Sequence, residues 1–291
     1  MNKNKIDTRE TEELIIDTVA RAHFRMRPDV KRLLLDAARK ERAAAPRRAL
    51  EQILENARAA RTDKVAMCQD TGLPLVFLET GRQECLSPRG IEVIRRAVAR
   101  GYQRLALRPS WVDPFRRVSA SYRGILWHWD VNPRIKKGMR ITVCPKGFGS
   151  ENKSRLVMLN PTAGRDEVEE CVVEAVRDAG PESCPPFVVG IGIGGTADHA
   201  LLLAKKVLLG RVDRGSTVSL FRTMEKRILE KINRLGIGPM GMGGAHTALA
   251  VKIMSADTHI AGLPVGINIS CHALRSAGAL ITNTGGLTCA G

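Results

Sequence analysis

Apolar positions recur first at helical spacing and later in short runs. Between residues 13 and 24, Leu14, Ile15, Val19 and Ala20 fall on one stripe, which predicts an amphipathic helix. Pro46 suits a first helical turn, where its missing N–H costs nothing, and Leu50, Ile53, Leu54 and Ala57 follow on one face. Residues 1–62 therefore read as mainly helical. Beyond them, strands are predicted at 75–78, 125–131, 141–144, 156–159, 187–193, 247–253 and 265–269. Ser87-Pro88 reads as an N-cap and first-turn pair for a helix reaching about 104. Further helices are predicted at 166–179, closed by Gly180, at 197–209, and at 217–235 with Leu220, Met224, Ile228, Ile232 and Leu235 as its stripe. No linker or internal repeat interrupts the pattern. The expectation is one α+β domain over residues 1–291: a helical N-terminal segment, then mixed β-sheets flanked by helices.

Composition narrows this picture. Of 291 residues, 44% are apolar and only 4% aromatic, so the core is aliphatic. The formal net charge is +16, from 46 basic and 30 acidic residues. Solvated faces of Arg-rich helices, attraction of a dianionic small substrate, or a track for nucleic acid phosphates would each account for it. With three Trp and two Tyr, stacking platforms for single strands are sparse, and no zinc-finger or leucine-zipper spacing occurs. Nucleic acid is thus the least favoured partner. No run of about 18 apolar residues predicts a membrane span, and the charged residues 1–13 lack the apolar segment of a leader. Seven cysteines, an odd number, argue against a disulfide framework and for a reducing cytoplasm.

Two features are candidates for chemistry. Gly190, Gly192 and Gly195 satisfy G-x-G-x-x-G between a predicted strand and a predicted helix. A dinucleotide site, a helix N-terminus holding an anion, or close backbone packing would each use these glycines. Among the cysteines, Cys171 lies on an apolar stripe and Cys144 ends a strand, so both read as core. Cys85 and Cys289 have no supporting context. Cys68, Cys184 and Cys271 each sit at the end of an element beside Gly, Pro or polar residues. They are the candidates to converge on a metal centre, although their spacing alone does not establish one.

At these residues the sequence resembles the class I, iron–sulfur fumarate hydratases. The strings that carry the resemblance are Cys68-Gln-Asp-Thr-Gly72, Lys146-Gly-Phe-Gly-Ser-Glu-Asn152, Cys184-Pro-Pro186, Gly190 to Thr196, Leu203-Ala-Lys-Lys206, Gly236-Ile-Gly-Pro239, Thr247-Ala-Leu-Ala-Val251, Thr258-His-Ile-Ala261 and Cys271-His-Ala273. They run in order over residues 13–280 and match the N-terminal domain of single-chain enzymes or the α subunit of two-chain ones. Residues 118–124, Met240, Met242, Ala245-His246 and Ser270 depart from the family's pattern.

The resemblance implies a [4Fe–4S] cluster held on loops by Cys68, Cys184 and Cys271. Three thiolates leave one iron open to a substrate, unlike an electron-transfer cluster with four. It implies a hydro-lyase that interconverts malate and fumarate, a step of the tricarboxylic acid cycle, with Asp70 transferring a proton. Gln69, Arg108 and the backbone at Gly149 are the implied substrate contacts, and His272 and Arg275 would support the third ligand. It implies a separate β subunit, in a dimer of αβ units. L-tartrate dehydratase, or another small-dicarboxylate hydro-lyase, is the alternative within this class. A non-catalytic basic binding protein on the same fold is the alternative outside it.

Overall fold

The structure, a computed structural model, describes residues 8–82, 86–118 and 125–282. Cys85, Cys289 and most of the divergent 118–124 stretch lie outside the described residues. The chain groups into two compact units. The first comprises Met1–Arg25, Ala59–Gly147 and Arg275–Gly291, and the second Met26–Arg58 and Phe148–Leu274.

In the first unit, helix α1 (Thr8–Phe24) buries Ile15 and Val19 completely. These side chains meet Ile94, Ala97 and Val98 of α4 (Pro88–Arg104), and Met139, Ile141 and Val143 of β3 (Met139–Lys146). Each such Ile contributes about 1.5–3 kcal/mol by leaving water. Gly101 lets the two helices approach, since a Cβ there would sit 3.2 Å from the Val19 side chain. Ser87 caps α4 as its type predicts: its Oγ accepts from Gly90 N–H at 3.0 Å. Four strands form a mixed sheet in the order β2 (Leu126–Val131), β1 (Leu73–Thr80), β3, β8 (Ala277–Ile281). The β1–β2 pair is parallel and the other two pairs are antiparallel. The sequence does not predict β8, because Ala-Gly-Ala-Leu-Ile carries neither β-branched alternation nor a turn signal. Its pairing with β3 supplies what its side chains do not.

In the second unit, α2 (Pro28–Lys40) starts from a buried pair in which Arg27 holds Asp29 bidentately, at 3.1 and 2.6 Å. α3 (Ala44–Asp63) begins in this unit and ends in the first. The sheet order is β4 (Arg155–Leu159), β7 (Leu263–Ser270), β5 (Phe187–Gly195), β6 (Ala248–Thr258). Only β5 and β6 run parallel. One face is packed by α6 (Arg165–Ala179) and α8 (Ser219–Asn233), through Val172, Val176, Ile228 and Ile232. Gly180 closes α6 at φ 59°, a left-handed value that suits glycine. A four-residue helix, α5 (Phe148–Glu151), precedes β4.

The glycine motif resolves as close packing. Helix α7 (Ala197–Lys206) lies so near β5 that a Cβ at Gly190 would be 2.1 Å from the Ala204 carbonyl oxygen. A Cβ at Gly192 would be 2.0 Å from that of Ala200. The predicted helix over 197–209 tightens to 3-10 geometry at Val207–Leu209, and β6 runs five residues beyond its predicted end. The α+β class stands. Many arginines pair with acidic neighbours on the surface, as in Arg96–Glu92, Arg58–Glu55 and Arg100–Glu12, so much of the positive charge is spread over solvated helix faces. Among the described residues, no helix is long and apolar enough to cross a membrane.

Candidate functional site

In the first unit the Cys68–Gly72 segment links α3 to β1, and buried groups fix its backbone at successive residues. The Asp70 carbonyl accepts Arg275 Nη2 at 2.9 Å. The Thr71 carbonyl accepts Tyr102 Oη at 3.2 Å and lies 3.1 Å from His23 Nε2. Thr71 Oγ1 donates to the Arg108 carbonyl oxygen. Gly72, at φ 75°, donates its N–H to Asp70 Oδ1 at 2.9 Å. That last bond is the Asx turn open to any aspartate two residues before a turn. It engages one carboxylate oxygen. The other, Oδ2, lies beside Gly147, where an added Cβ would be 3.0 Å away. Cys68 and Asp70 are half-buried, while Gln69 and the Arg108 side chain are exposed.

His23 and Tyr102 carry no sequence signal for this task. His23 lies 48 residues before Thr71 and is fully buried. Burial lowers its pKa to about 4, with a further lowering by Arg275, so the ring is neutral. The unfolded chain takes up this proton near pH 6.5 and the folded protein only near 4. Stability from this group is therefore complete above pH 6.5 and is lost as pH falls toward 4, by about 3 kcal/mol. We expect unfolding free energies of the wild type to fall by that much more than those of His23→Gln between pH 7 and 4. Equal slopes would show that the ring is not held neutral.

In the second unit a corner forms around Cys184. This residue ends the 3-10 turn Pro181–Ser183 at φ 58°, ψ 62°, a left-handed conformation that costs a non-glycine residue of order 1 kcal/mol. Its carbonyl accepts the His272 N–H at 3.3 Å and faces His272 Nδ1 at 3.0 Å. The residue after Cys271 thus ties the end of β7 to Cys184. Pro185 accepts the Met240 N–H at 2.9 Å, which anchors the Gly238–Gly244 loop to the same corner. Glu41 holds the far end of that loop through Ala245 N–H at 2.9 Å and His246 Nδ1 at 3.1 Å. Burial alone would raise the Glu41 carboxyl, but these contacts hold it below the usual carboxylate range.

Two of the strings singled out in the sequence meet here. Glu151 pairs with Lys205, and its Oε2 accepts Asn268 Nδ2 of β7 at 3.0 Å. Gly149 sits on α5 with nothing within 4 Å of where a Cβ would lie.

Cys68, Cys184 and Cys271 are each partly accessible and none is disulfide-bonded. Cys171 is likewise partly accessible. Cys144 is buried. Cys171 packs on α6, where burial and then Glu174 and Glu170 push its thiol up to about 11. Among the described residues, no group of three or more His, Cys, Asp or Glu side chains is arranged to hold a single metal ion.

The profile of the family described as "Fumarate hydratase (Fumerase)" matches residues 12–279. A Methanocaldococcus jannaschii protein named "Putative L(+)-tartrate dehydratase subunit alpha" is 40% identical, over 91% of this chain and 95% of that protein. A Geobacillus stearothermophilus protein named "Putative fumarate hydratase class I" is 31% identical over 94% of this chain, which spans 54% of that protein. The Escherichia coli "L(+)-tartrate dehydratase subunit alpha" is 27% identical, over 92% and 90%.

Proposed function

Since the chain belongs to the Fumerase family of hydro-lyases, we propose that it is the α subunit of a two-chain iron–sulfur enzyme that reversibly dehydrates a small 2-hydroxy dicarboxylate. The observation that carries this reading is the corner at Cys184, where His272 brings the backbone of the Cys271 segment onto a cysteine held in a strained conformation. The donor set fits a [4Fe–4S] cluster. Cys68, Cys184 and Cys271 are partly accessible thiols outside helices and strands, whereas Cys144 is buried in β3 and Cys171 lies within α6 with its thiol pushed up to about 11. Such a cluster, bound by three thiolates, supplies one open iron as a Lewis acid for the leaving hydroxyl.

The chain's own residues would do the rest. Asp70 has one carboxylate oxygen engaged by Gly72 and the other beside the side-chain-free Gly147, so it is oriented to move a proton. The exposed Arg108 guanidinium suits a bidentate hold on a carboxylate. Gln69 and the Gly149 backbone are further accessible donors.

A β subunit completes the enzyme in this reading, in a cytoplasmic dimer of αβ units. Support comes from two relatives named as α subunits, of which this chain covers 95% and 90%. Fumarate is the substrate in the family's description, and its hydration gives malate. L(+)-tartrate is a second reading, favoured by the names of those same two relatives. Assays of the reconstituted pair with malate, fumarate and L(+)-tartrate decide between them. We expect dehydration of one hydroxy acid at a kcat/KM at least about tenfold above the other, and negligible turnover by this chain alone. Full activity without a partner contradicts the two-chain reading. A cluster-loaded pair inactive on all three contradicts the substrate class.

A further inference from the structure

Arg275 is 4% exposed, and its contacts single it out. Nη2 donates to the Asp70 carbonyl oxygen at 2.9 Å. Nε and Nη1 are buried and have no hydrogen-bond partner among the described residues. A guanidinium is permanently charged and carries five N–H donors, so leaving the three on Nε and Nη1 dry is costly. An apolar side chain of similar length would fill the same volume without that cost. The charge is felt locally: it adds to the lowering of His23 and opposes the rise that burial imposes on Tyr102. Gly147 leaves the space next to both groups clear, since a Cβ there would be 3.0 Å from Asp70 Oδ2 and 3.5 Å from Arg275 Nη2.

We propose that Arg275 is a positioning residue for Asp70, fixing the Asp70 peptide through Nη2 and holding a permanent positive charge beside its carboxyl group. The consequence for catalysis rests on the proton-transfer role given to Asp70 above; the structural part does not. Because Gly72 N–H donates to Asp70 Oδ1 at 2.9 Å, the Gly72 amide reports directly on how firmly Asp70 is held.

The test is hydrogen exchange of the full-length chain, without cluster, resolved to that amide. Arg275→Met removes charge and donors, with Arg275→Gln as the neutral variant if the first does not fold. Arg275→Lys keeps the charge and a single donor nitrogen. The neutral variant should exchange Gly72 about tenfold faster or more while amides of β5 stay unchanged, and Arg275→Lys should recover most of the protection. An unchanged Gly72 amide, or the same acceleration across the whole chain, overturns the proposal. In the cluster-loaded pair, the neutral variant should lose about tenfold or more in kcat with KM nearly unchanged. A rise in KM alone would place Arg275 on the substrate and also overturn it. Inactivity of the wild-type pair would sink the functional reading and leave the exchange result to decide this one.

Discussion

Replacing Cys68, Cys184 or Cys271 singly by Ser is expected to abolish cluster retention, whereas Cys171→Ser is not. A serine hydroxyl is not deprotonated near neutral pH, so it is a poor substitute for a thiolate on iron. Cys68 lies in the loop between α3 and β1, Cys184 closes the 3-10 turn Pro181–Ser183 and Cys271 follows β7, and each is partly accessible. Cys171 is the matched control. Its Sγ donates to the Val168 carbonyl at 3.1 Å on α6, and burial pushes its thiol up to about 11, far from the thiolate a metal requires. Anaerobic iron and sulfide analysis after reconstitution should give about four of each per chain for the wild type and the control, and less than about one for each of the other three. Retention of a full complement by any one of them removes that cysteine from the ligand set.

The second large effect is expected at Asp70. Asp70→Asn should lower kcat by about 10²–10⁴, the usual worth of a positioned proton-transfer group. The substitution is conservative in shape. An asparagine Oδ1 can still accept the Gly72 N–H, so the Asx turn and the Thr71 contacts behind it are preserved. Iron content should therefore match the wild type, and KM should change little because the substrate carboxylates are assigned to other groups. A variant that keeps its cluster and loses less than about tenfold in kcat would move the proton to another side chain. One that loses the cluster would show that Asp70 acts by holding the Cys68 segment.

The secondary structure was legible wherever local chemistry decided it. Ser87-Pro88 opened α4 and Gly180 closed α6 because the cap is made by the residue itself. The stripes of α1 and α8 followed from spacing, since Ile15, Val19, Ile228 and Ile232 leave water together. Strand β8 was not legible, because small residues gain their order from β3 rather than from their own pattern. The G-x-G-x-x-G string was visible but ambiguous, and only the approach of α7 to β5 assigned Gly190 and Gly192 to packing.

The candidate site divides in the same way. Its loop strings were readable because turns and caps restrict residue type. The groups that fix those loops were not, since His23, Tyr102 and Glu41 reach them from distant parts of the sequence. The Glu41 contact to Ala245 spans 204 positions. The sequence shows Arg275 only as a near neighbour of Cys271. Its bond to Asp70, 205 positions away, gives it a more specific role.

The most direct test of the account is the Mössbauer spectrum of the anaerobically reconstituted wild-type chain. A core held by Cys68, Cys184 and Cys271, with one iron lacking a protein thiolate, predicts sites in a three-to-one ratio, the minor one shifting when a hydroxy dicarboxylate is added to the assembled pair. Four equivalent, unresponsive iron sites, or no cluster at all, would contradict it.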